Sequence, residues 1–210
     1  MDRRMKNKGI LIVVSGFSGA GKGTLMKRLV EEYDGYALSI SATTRAPRPG
    51  EENGREYFFL SEEEFEKRIA DKALIEYATY CGNYYGTPRD YVEKQLAMGH
   101  DVILEIEIQG AHKIKEQYPD ALLLFVMPPS AEELHRRLSG RGTETKEVID
   151  QRMRRAVQEA EGIEDYEYIV VNDDLETCVQ TLHGIVTAAH HVPERNEAFI
   201  EKMRRELRGE

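Results

Sequence analysis

The stretch GILIVVSGFSGAGKGT, residues 9–24, joins a short apolar run to a glycine-rich turn and to the start of a charged, amphipathic segment. The run Gly9 to Ser15 is rich in β-branched side chains, which is typical of a strand buried on both faces of a parallel sheet. The turn that follows has the spacing of a P-loop, with Gly16, Gly21 and Lys22 in the required positions. The stretch therefore predicts a phosphate-binding loop between a buried strand and a helix.

Each part of this loop has a physical role in binding phosphate. Glycines let the backbone curl so that successive N–H groups point at phosphate oxygens. The N-terminus of the following helix adds the positive end of its dipole, and Lys22 brings a mobile positive charge to the β- and γ-phosphates of a nucleotide. We expect the loop to bind ATP through Gly16, Phe17, Ser18, Gly19, Ala20, Gly21, Lys22, Gly23 and Thr24.

One position departs from the usual P-loop. Gly23 follows the lysine where a serine or threonine usually stands, and Thr24 comes next. Because the usual hydroxyl reaches Mg²⁺, we expect this chain to hold the metal mainly through water and phosphate oxygens.

The rest of the chain alternates apolar runs with amphipathic segments. Further strands are predicted at residues 101–108, 121–127 and 168–171, which are short and apolar. The segments between them are long enough to form crossover helices. We therefore expect an α/β fold with a parallel core sheet flanked by helices on both faces.

Three helix starts are indicated by capping residues. Ser61 with Glu64, and Ser130 with Glu133, each fit a capping box. Thr87 followed by proline fits an N-cap with proline at the first helical position.

Residues 42–88 break the alternation. This part contains ATTRAPRPGEENGREYFFL and YATYCGNYYGTP and is rich in threonine, arginine, proline, glycine and tyrosine. We expect a small inserted subdomain of short antiparallel strands. Several of its tyrosines stand in turns beside arginines, which favours a ligand-binding surface.

Composition narrows the classes of function. The chain has 29 Lys and Arg against 38 Asp and Glu, a net charge of −9, which argues against a protein that coats nucleic acid. No stretch approaches the roughly 18 apolar residues of a membrane span, and the N-terminus lacks the apolar core of a signal peptide. Cys81 and Cys178 form no CxxC pair, and the six histidines lack metal-ligand spacing. We therefore expect a cytoplasmic protein with reduced thiols and no nucleic-acid, membrane or obligatory protein partner.

Six motifs occur in order along the chain, namely GFSGAGKGT, SATTRAPRPGE, EYATYCGNYYGTP, ILEIEIQGA, LSGRGTET and IVVND. Together they resemble guanylate kinases, from about Gly9 to about His190. The resemblance implies a P-loop NTPase fold with an inserted GMP-binding subdomain and a helical lid. It also implies an ATP:GMP phosphotransferase of purine nucleotide metabolism, with GMP and ATP as substrates and Mg²⁺ as cofactor.

The resemblance assigns residues to the phosphate of GMP. Guanylate kinases bind this phosphate with arginines and tyrosines, and the matching positions here are Arg45, Arg48, Tyr57 and Tyr85. Arginine presents a planar fork to phosphate, and tyrosine adds a neutral O–H donor. Arg45 is also expected to take part in catalysis.

The resemblance also assigns residues to the guanine base. The family reads the base with a carboxylate and small hydroxyls, which match Glu76, Ser41 and Thr87. Guanine has two adjacent donors, N1–H and the 2-amino group, that one carboxylate is able to accept together. The strand DVILEIE ends in Glu105 and Glu107, where guanylate kinases often carry two aspartates. Glu107 resembles a second acid that contacts the base, and Glu105 is placed like an acid that orders metal-bound water.

The segment HRRLSGRGTETKEVIDQRM resembles the lid of the family. Its phosphate-facing arginines match Arg137, Arg141 and Arg152, which we expect to stabilise the transferring phosphoryl group and to exclude water when the lid closes. Asn172 is expected to contact the adenine of ATP. The remaining arginines of the segment are expected on solvated helix faces: Arg136, Arg154 and Arg155.

We expect one domain over residues 1–210, made of a core, an insertion, a lid and an extra helix. The ranges are about 9–41, 97–135 and 165–190 for the core, about 42–96 for the GMP-binding subdomain, about 136–164 for the lid and about 192–210 for the C-terminal helix.

Two other functions fit parts of this pattern. A non-catalytic scaffold of the guanylate-kinase-like type would use the same arginines to bind phosphopeptides, but such modules lack a working P-loop. Another small P-loop kinase, acting on AMP or on a sugar phosphate, would not need the combination of Glu76, Ser41 and Thr87.

Overall fold

The computed structural model describes residues 8–80, 82–140 and 145–210. The strands are β1 (Leu11–Gly16), β2 (Tyr36–Leu38), β3 (Ala42–Thr43), β4 (Phe58–Phe59), β5 (Leu74–Tyr80), β6 (Asn83–Pro88), β7 (Asp101–Glu105), β8 (Leu122–Met127) and β9 (Tyr168–Val171). The helices are α1 (Lys22–Glu32), α2 (Glu62–Ala70), α3 (Arg89–Ala97), α4 (Ile108–Gln117), α5 (Ala131–Ser139), α6 (Lys146–Ala160), α7 (Leu175–Ala189) and α8 (Glu197–Arg208).

The larger sheet has the order β2-β7-β1-β8-β9, and all of its strand pairs are parallel. Val13 lies at its centre, opposite Leu104 on one side and Leu123 on the other. Val13 is fully buried, which explains why β1 is apolar on both of its faces. Fully burying such a side chain contributes on the order of 1.5–3 kcal/mol. The helices flank this sheet, so the predicted α/β class is confirmed.

The smaller sheet is built from the insertion and has the order β4-β3-β6-β5. β5 and β6 form an antiparallel hairpin, and β3 pairs with β6 in the same way. The pair β3–β4 is parallel, so the expectation of purely antiparallel strands is wrong at this point. The loop 44–57 is long enough to carry the chain back to the same end of the sheet, as a parallel pair requires.

Two element boundaries differ from the sequence pattern. β7 ends at Glu105 rather than at residue 108, and Glu107 instead precedes α4 as its N-cap residue. Thr87 is not an N-cap: α3 begins at Arg89, and the Thr87 hydroxyl donates to Glu76 at 2.7 Å. Tertiary bonding therefore overrides the local capping signal at this threonine.

The two serine caps behave differently. The full capping box of Ser61 and Glu64 is present, as predicted. Ser130 accepts from the backbone N–H of Glu133, but the Glu133 carboxylate accepts from Arg136 and Arg137 instead of returning to Ser130. These guanidinium groups lower the pKa of Glu133 to about 2.

Helix α8 follows the core and buries none of its residues. None of the helices in the described ranges is both long and apolar enough to cross a membrane.

Candidate active site

A cavity of about 500 Å³ opens at the carboxyl ends of β1 and β7. In parallel sheets this edge is where ligands bind, because loops and helix N-termini converge there. Its lining includes Gly16, Ser18, Lys22, Glu105, Glu107, Arg152 and Arg155. The cavity therefore brings together residues of the P-loop, the β7–α4 loop and the predicted lid.

The P-loop depends on glycine at two positions. Gly16 has a φ of 151°, and a Cβ at this residue would lie 2.0 Å from the carbonyl oxygen of Val126 on the neighbouring strand. Gly21 has a φ of 90°, and its Cβ would lie 2.6 Å from Nδ2 of Asn172. Any other residue would force the loop off the sheet or out of its left-handed turn.

Lys22 is the first residue of α1, and its ammonium group lies across the P-loop. Its Nζ donates to the carbonyl oxygen of Gly16 at 2.9 Å and to that of Phe17 at 3.3 Å. The positive charge and the positive end of the α1 dipole therefore occupy the same part of the cavity.

Asn172, which was expected at the adenine, and Arg137, which was expected to face the phosphates from the lid, both support the P-loop from behind. Asn172 is 7% exposed, and its Nδ2 donates to the carbonyl oxygen of Ala20 at 2.8 Å. Arg137 donates from Nη1 to the same oxygen at 3.3 Å and from Nη2 to the carbonyl oxygen of Asn172 at 2.8 Å. These contacts favour a supporting role for Asn172 over the expected contact with adenine, because its side chain is enclosed.

The lid helix α6 reaches the cavity through two arginines. Arg152 donates from Nη1 to the hydroxyl of Ser18 at 2.9 Å. Arg155 lies on an exposed face of α6, as expected, but it also lies 2.5 Å from Glu107 and lines the cavity, which was not expected. The surface pattern of α6 did not reveal this because its partner lies on a distant loop. Arg141, the third expected lid arginine, lies outside the described residues.

Glu105 ends β7 and has an exposed side chain that lines the cavity with Lys22. A Cβ on Gly23 would lie 3.9 Å from Oε2 of Glu105, so this carboxylate lies beside the first turn of α1. Among the described residues, no group of three His, Cys, Asp or Glu side chains forms a cage for a metal ion. One carboxylate beside a phosphate-binding loop fits Mg²⁺, which keeps most of its waters and binds phosphate oxygens.

A second cluster lies on the smaller sheet, around Arg45. Both carboxylate oxygens of Glu51 accept from Arg45 Nη2 at 3.0 Å. The Arg45 guanidinium also bonds to Tyr85. The guanidinium lies 5.4 Å from the ring centroid of Tyr57, and the rings of Tyr57 and Tyr85 meet edge to face at 6.0 Å. Three of the four predicted phosphate residues therefore form one group.

The fourth, Arg48, is exposed, and its backbone N–H donates to Glu51 at 2.7 Å. The Glu51 carboxylate thus holds both arginines: it accepts from the side chain of Arg45 and from the backbone N–H of Arg48. Sequence reasoning did not identify Glu51. Its position in the turn RPGE, six residues after Arg45, was the only available signal.

Glu76 and Thr87 face each other on the β5–β6 hairpin. Thr87 is fully buried, and its hydroxyl donates to Oε1 of Glu76 at 2.7 Å. Burial raises the pKa of the Glu76 carboxyl, and the hydrogen bond from Thr87 opposes this shift. Ser41 is partly buried at the start of the same sheet, where its carbonyl oxygen accepts from Phe58.

Helix α4 connects the two clusters. It begins directly after Glu107, and a Cβ on Gly110 in its first turn would lie 3.9 Å from Oε2 of Glu76. The main cavity and the carboxylate of the smaller sheet therefore border the same helix end.

The sequence and the structure are both similar to those of known proteins. The family model described as guanylate kinase matches residues 8–189. The guanylate kinase of Caldanaerobacter subterraneus subsp. tengcongensis is 47% identical over 202 residues, covering 96% of this chain and 98% of that protein. That of Halalkalibacterium halodurans is 50% identical over 197 residues, covering 94% and 95%.

Among solved structures, that of guanylate kinase from Anaplasma phagocytophilum has a TM-score of 0.71 and 33% sequence identity over 90% of each chain. A Thermus thermophilus protein, TT1252, shares the fold at 18% identity with a TM-score of 0.50. Since the family model spans most of the chain and the similarity extends over nearly the whole length of its relatives, the chain belongs to the guanylate kinase family.

Proposed function

We propose that this chain transfers the γ-phosphoryl group of ATP to GMP, giving ADP and GDP, and that its two clusters hold the two nucleotides. The observation that carries this proposal is the pairing of a P-loop with a half-buried carboxylate on a second sheet. Lys22 supplies charge at the phosphates, whereas Glu76, held by Thr87, offers acceptors to a base. Their common border at the start of α4 supports one connected site.

In this assignment the P-loop binds the triphosphate of ATP. The adenine lies beside the segment that follows β9, where Arg137 and Asp173 line a cavity of about 910 Å³. Asn172 acts here by holding Ala20 in place.

GMP lies against the smaller sheet. Arg45, Tyr57 and Tyr85 bind its phosphate, and Arg48 adds charge from the adjoining turn. Glu51 orients Arg45 through one nitrogen, and the guanidinium has five N–H donors, so donors are left for a phosphate. Glu76 accepts from guanine N1–H and the 2-amino group, with Ser41, Thr87 and Glu107 completing the base site.

The chemistry needs no general base, because the phosphate oxygen of GMP is already an anionic nucleophile. This oxygen forms a bond to the γ-phosphorus of ATP while the bond to the β–γ bridging oxygen breaks, leaving ADP. Lys22, Arg141 and Arg152 would stabilise the charge on the transferring group, Arg137 would hold the P-loop in place from behind, and Arg45 would align the attacking phosphate.

We also propose that Mg²⁺ accompanies ATP and that Glu105 holds it through water. When bound, the ion would neutralise charge on the phosphate oxygens. The single carboxylate near Gly23 supports this indirect mode of binding.

The test is the rate of ADP formation from ATP with and without GMP, in the presence of Mg²⁺ and of excess EDTA. We expect ADP only when GMP and Mg²⁺ are both present, and full recovery when Mg²⁺ is added back. ADP formation at a rate that is independent of GMP would contradict the transferase assignment. The absence of any ADP formation would favour a non-catalytic scaffold. A rate unaffected by EDTA would contradict the metal assignment alone.

A further inference from the structure

An ion pair joins the lid helix α6 to the loop between β7 and α4. Nη2 of Arg155 lies 2.5 Å from Oε2 of Glu107. One turn further along α6, Glu159 accepts from Nε of Arg155 at 2.9 Å and so holds the guanidinium in place. All three side chains line the cavity that contains Lys22.

The same helix face touches the P-loop. Arg152 and Arg155 are three residues apart on α6, a spacing that places two side chains on one face. Arg152 donates to the Ser18 hydroxyl at 2.9 Å. One face of α6 is therefore anchored at two points, with Arg152 on the ATP side and Arg155 on the carboxylate that the proposed function assigns to guanine.

The pair leaves Glu107 able to bind a base. It uses Oε2, and a carboxylate has two oxygens with about four acceptor sites. Glutamate also has one methylene more than aspartate. The longer side chain loses more rotamer freedom when a ligand fixes it, so a partner that fixes it beforehand reduces that cost.

The Arg155–Glu107 ion pair should contribute mainly when GMP is bound. The side chains of Arg155 and Glu107 are 46% and 70% exposed, so the pair contributes little to the stability of the free protein. A base that covers Glu107 would remove water from the pair and strengthen the attraction. The contribution of Arg155 should therefore be seen in GMP turnover rather than in unfolding.

We propose that Arg155 is a positioning residue for guanine recognition, which orients the Glu107 carboxylate. This inference rests on the proposed function, because it takes Glu107 to contact the base of GMP.

The test is a double-mutant cycle on Glu107→Gln and Arg155→Gln, with kcat/KM for GMP, KM for ATP and thermal unfolding measured for each variant. Each single change should lower kcat/KM for GMP about tenfold, and the double variant should lose about as much as one single change, because the two residues act as a unit. Arg155→Lys should recover part of the loss. KM for ATP and the unfolding temperature should stay near wild type. Arg154→Gln, one residue away on an exposed position of the same helix, is the matched control and should leave all values unchanged.

Three results would overturn the inference. Unchanged or higher kcat/KM for GMP in Arg155→Gln would make Arg155 a bystander or a competitor of the base. If the fold-loss of kcat/KM for GMP in the double variant equals the product of the two single fold-losses, the two residues act independently. A matching loss in the use of ATP would indicate general damage to the lid. A wild-type protein that does not phosphorylate GMP would instead overturn the proposed function, and with it this inference, whereas an active wild type with unaffected variants would overturn the inference alone.

Discussion

Lys22 places its ammonium group at the loop that would hold the β- and γ-phosphates, where it donates to the carbonyl oxygens of Gly16 and Phe17. Lys22→Met removes this charge and keeps much of the side-chain length. We expect kcat to fall by on the order of a hundredfold or more, because charge aimed at the transition state is typically worth several kcal/mol. GMP binding should change little, since the GMP cluster lies on the other sheet. Steady-state kinetics and GMP titration test this, and near-normal turnover of the variant would show that Lys22 is not a catalytic residue.

Glu76 is the residue that separates guanine recognition from general nucleotide binding. Glu76→Gln keeps the size of the side chain but places an NH₂ donor where guanine also offers donors. The loss should be roughly 2–4 kcal/mol in kcat/KM for GMP, while KM for ATP stays within a small factor. Inosine monophosphate lacks the 2-amino group, so it should be a poor substrate for the wild type and should lose less on mutation. Equal losses for the two substrates would indicate that Glu107, Ser41 and Thr87, rather than Glu76, recognise the 2-amino group.

The same carboxylate predicts a dependence on pH. Burial raises the pKa of Glu76 in the folded protein, so its ionised form lowers the stability of the fold. This group favours folding at low pH, and its contribution is lost as the pH rises through the folded pKa. Glu76→Gln should therefore leave the unfolding temperature at pH 7 unchanged or raise it, even though activity falls.

Activity should change with pH in the opposite sense. The ionised carboxylate is the form that accepts from guanine, so kcat/KM for GMP should fall on acidification, with an apparent pKa above the ordinary glutamate value of about 4.3. Glu76→Gln should lack this acid limb. Retention of the limb in the variant would assign the titration to another group.

The P-loop, as an element, is held in place by the end of β9. Asn172 donates to the Ala20 carbonyl, and Gly21 leaves the space that the amide occupies. Asn172→Ala removes one of two donors to the Ala20 carbonyl and leaves that of Arg137, so it should cost about 1 kcal/mol of unfolding free energy. Denaturant unfolding measures the loss, and Asn172→Asp, which keeps the shape but sets an acceptor oxygen against the same carbonyl, should lose at least as much. Unchanged stability together with a changed preference for ATP over GTP would instead indicate that Asn172 contacts the adenine of ATP.

The lid helix α6 carries the next prediction. Arg152 reaches the Ser18 hydroxyl from α6, so it is placed to act on phosphates bound in the loop. Arg152→Ala should lower kcat more than it raises KM for either nucleotide, because lid arginines act mainly when the site is closed. Arg154→Ala is the exposed control on the same helix. An effect confined to KM would make Arg152 a residue of ground-state binding.

At the scale of the whole molecule, local patterns predicted four of the five strands of the larger sheet and missed β2. β1, β8 and β9 lie within two residues of their predicted bounds, because a buried parallel strand is encoded by its own apolar run. The P-loop was equally legible, since its glycines are required by its backbone geometry. The strand predicted to end at residue 108 was too long, because Ile106 is apolar although it lies in the loop that leads to α4.

Contacts between distant segments were not predictable in the same way. The sequence indicated which residue types serve the site, but it did not indicate that Arg155 meets Glu107 or that Glu51 holds Arg45. Asn172 illustrates the reason, because the motif VND fixes its position in the chain and leaves the direction of its side chain to tertiary packing. Thr87 was read as a cap because its partner, Glu76, belongs to another strand.

The central claim is that one chain selects the guanine base of GMP on the smaller sheet and phosphorylates the GMP phosphate from ATP held at the P-loop. The most direct measurement is a competition in which equal amounts of GMP, AMP, CMP and UMP meet ATP labelled in its γ-phosphate, with Mg²⁺, and labelled diphosphates are separated. The label follows only the transferred group, so unlabelled ADP left from ATP does not interfere. We predict that GDP carries nearly all of the label, at least a hundredfold more than any other diphosphate, because adenine has an acceptor where Glu76 requires a donor. Label distributed evenly among the diphosphates, or concentrated in ADP, would contradict the claim.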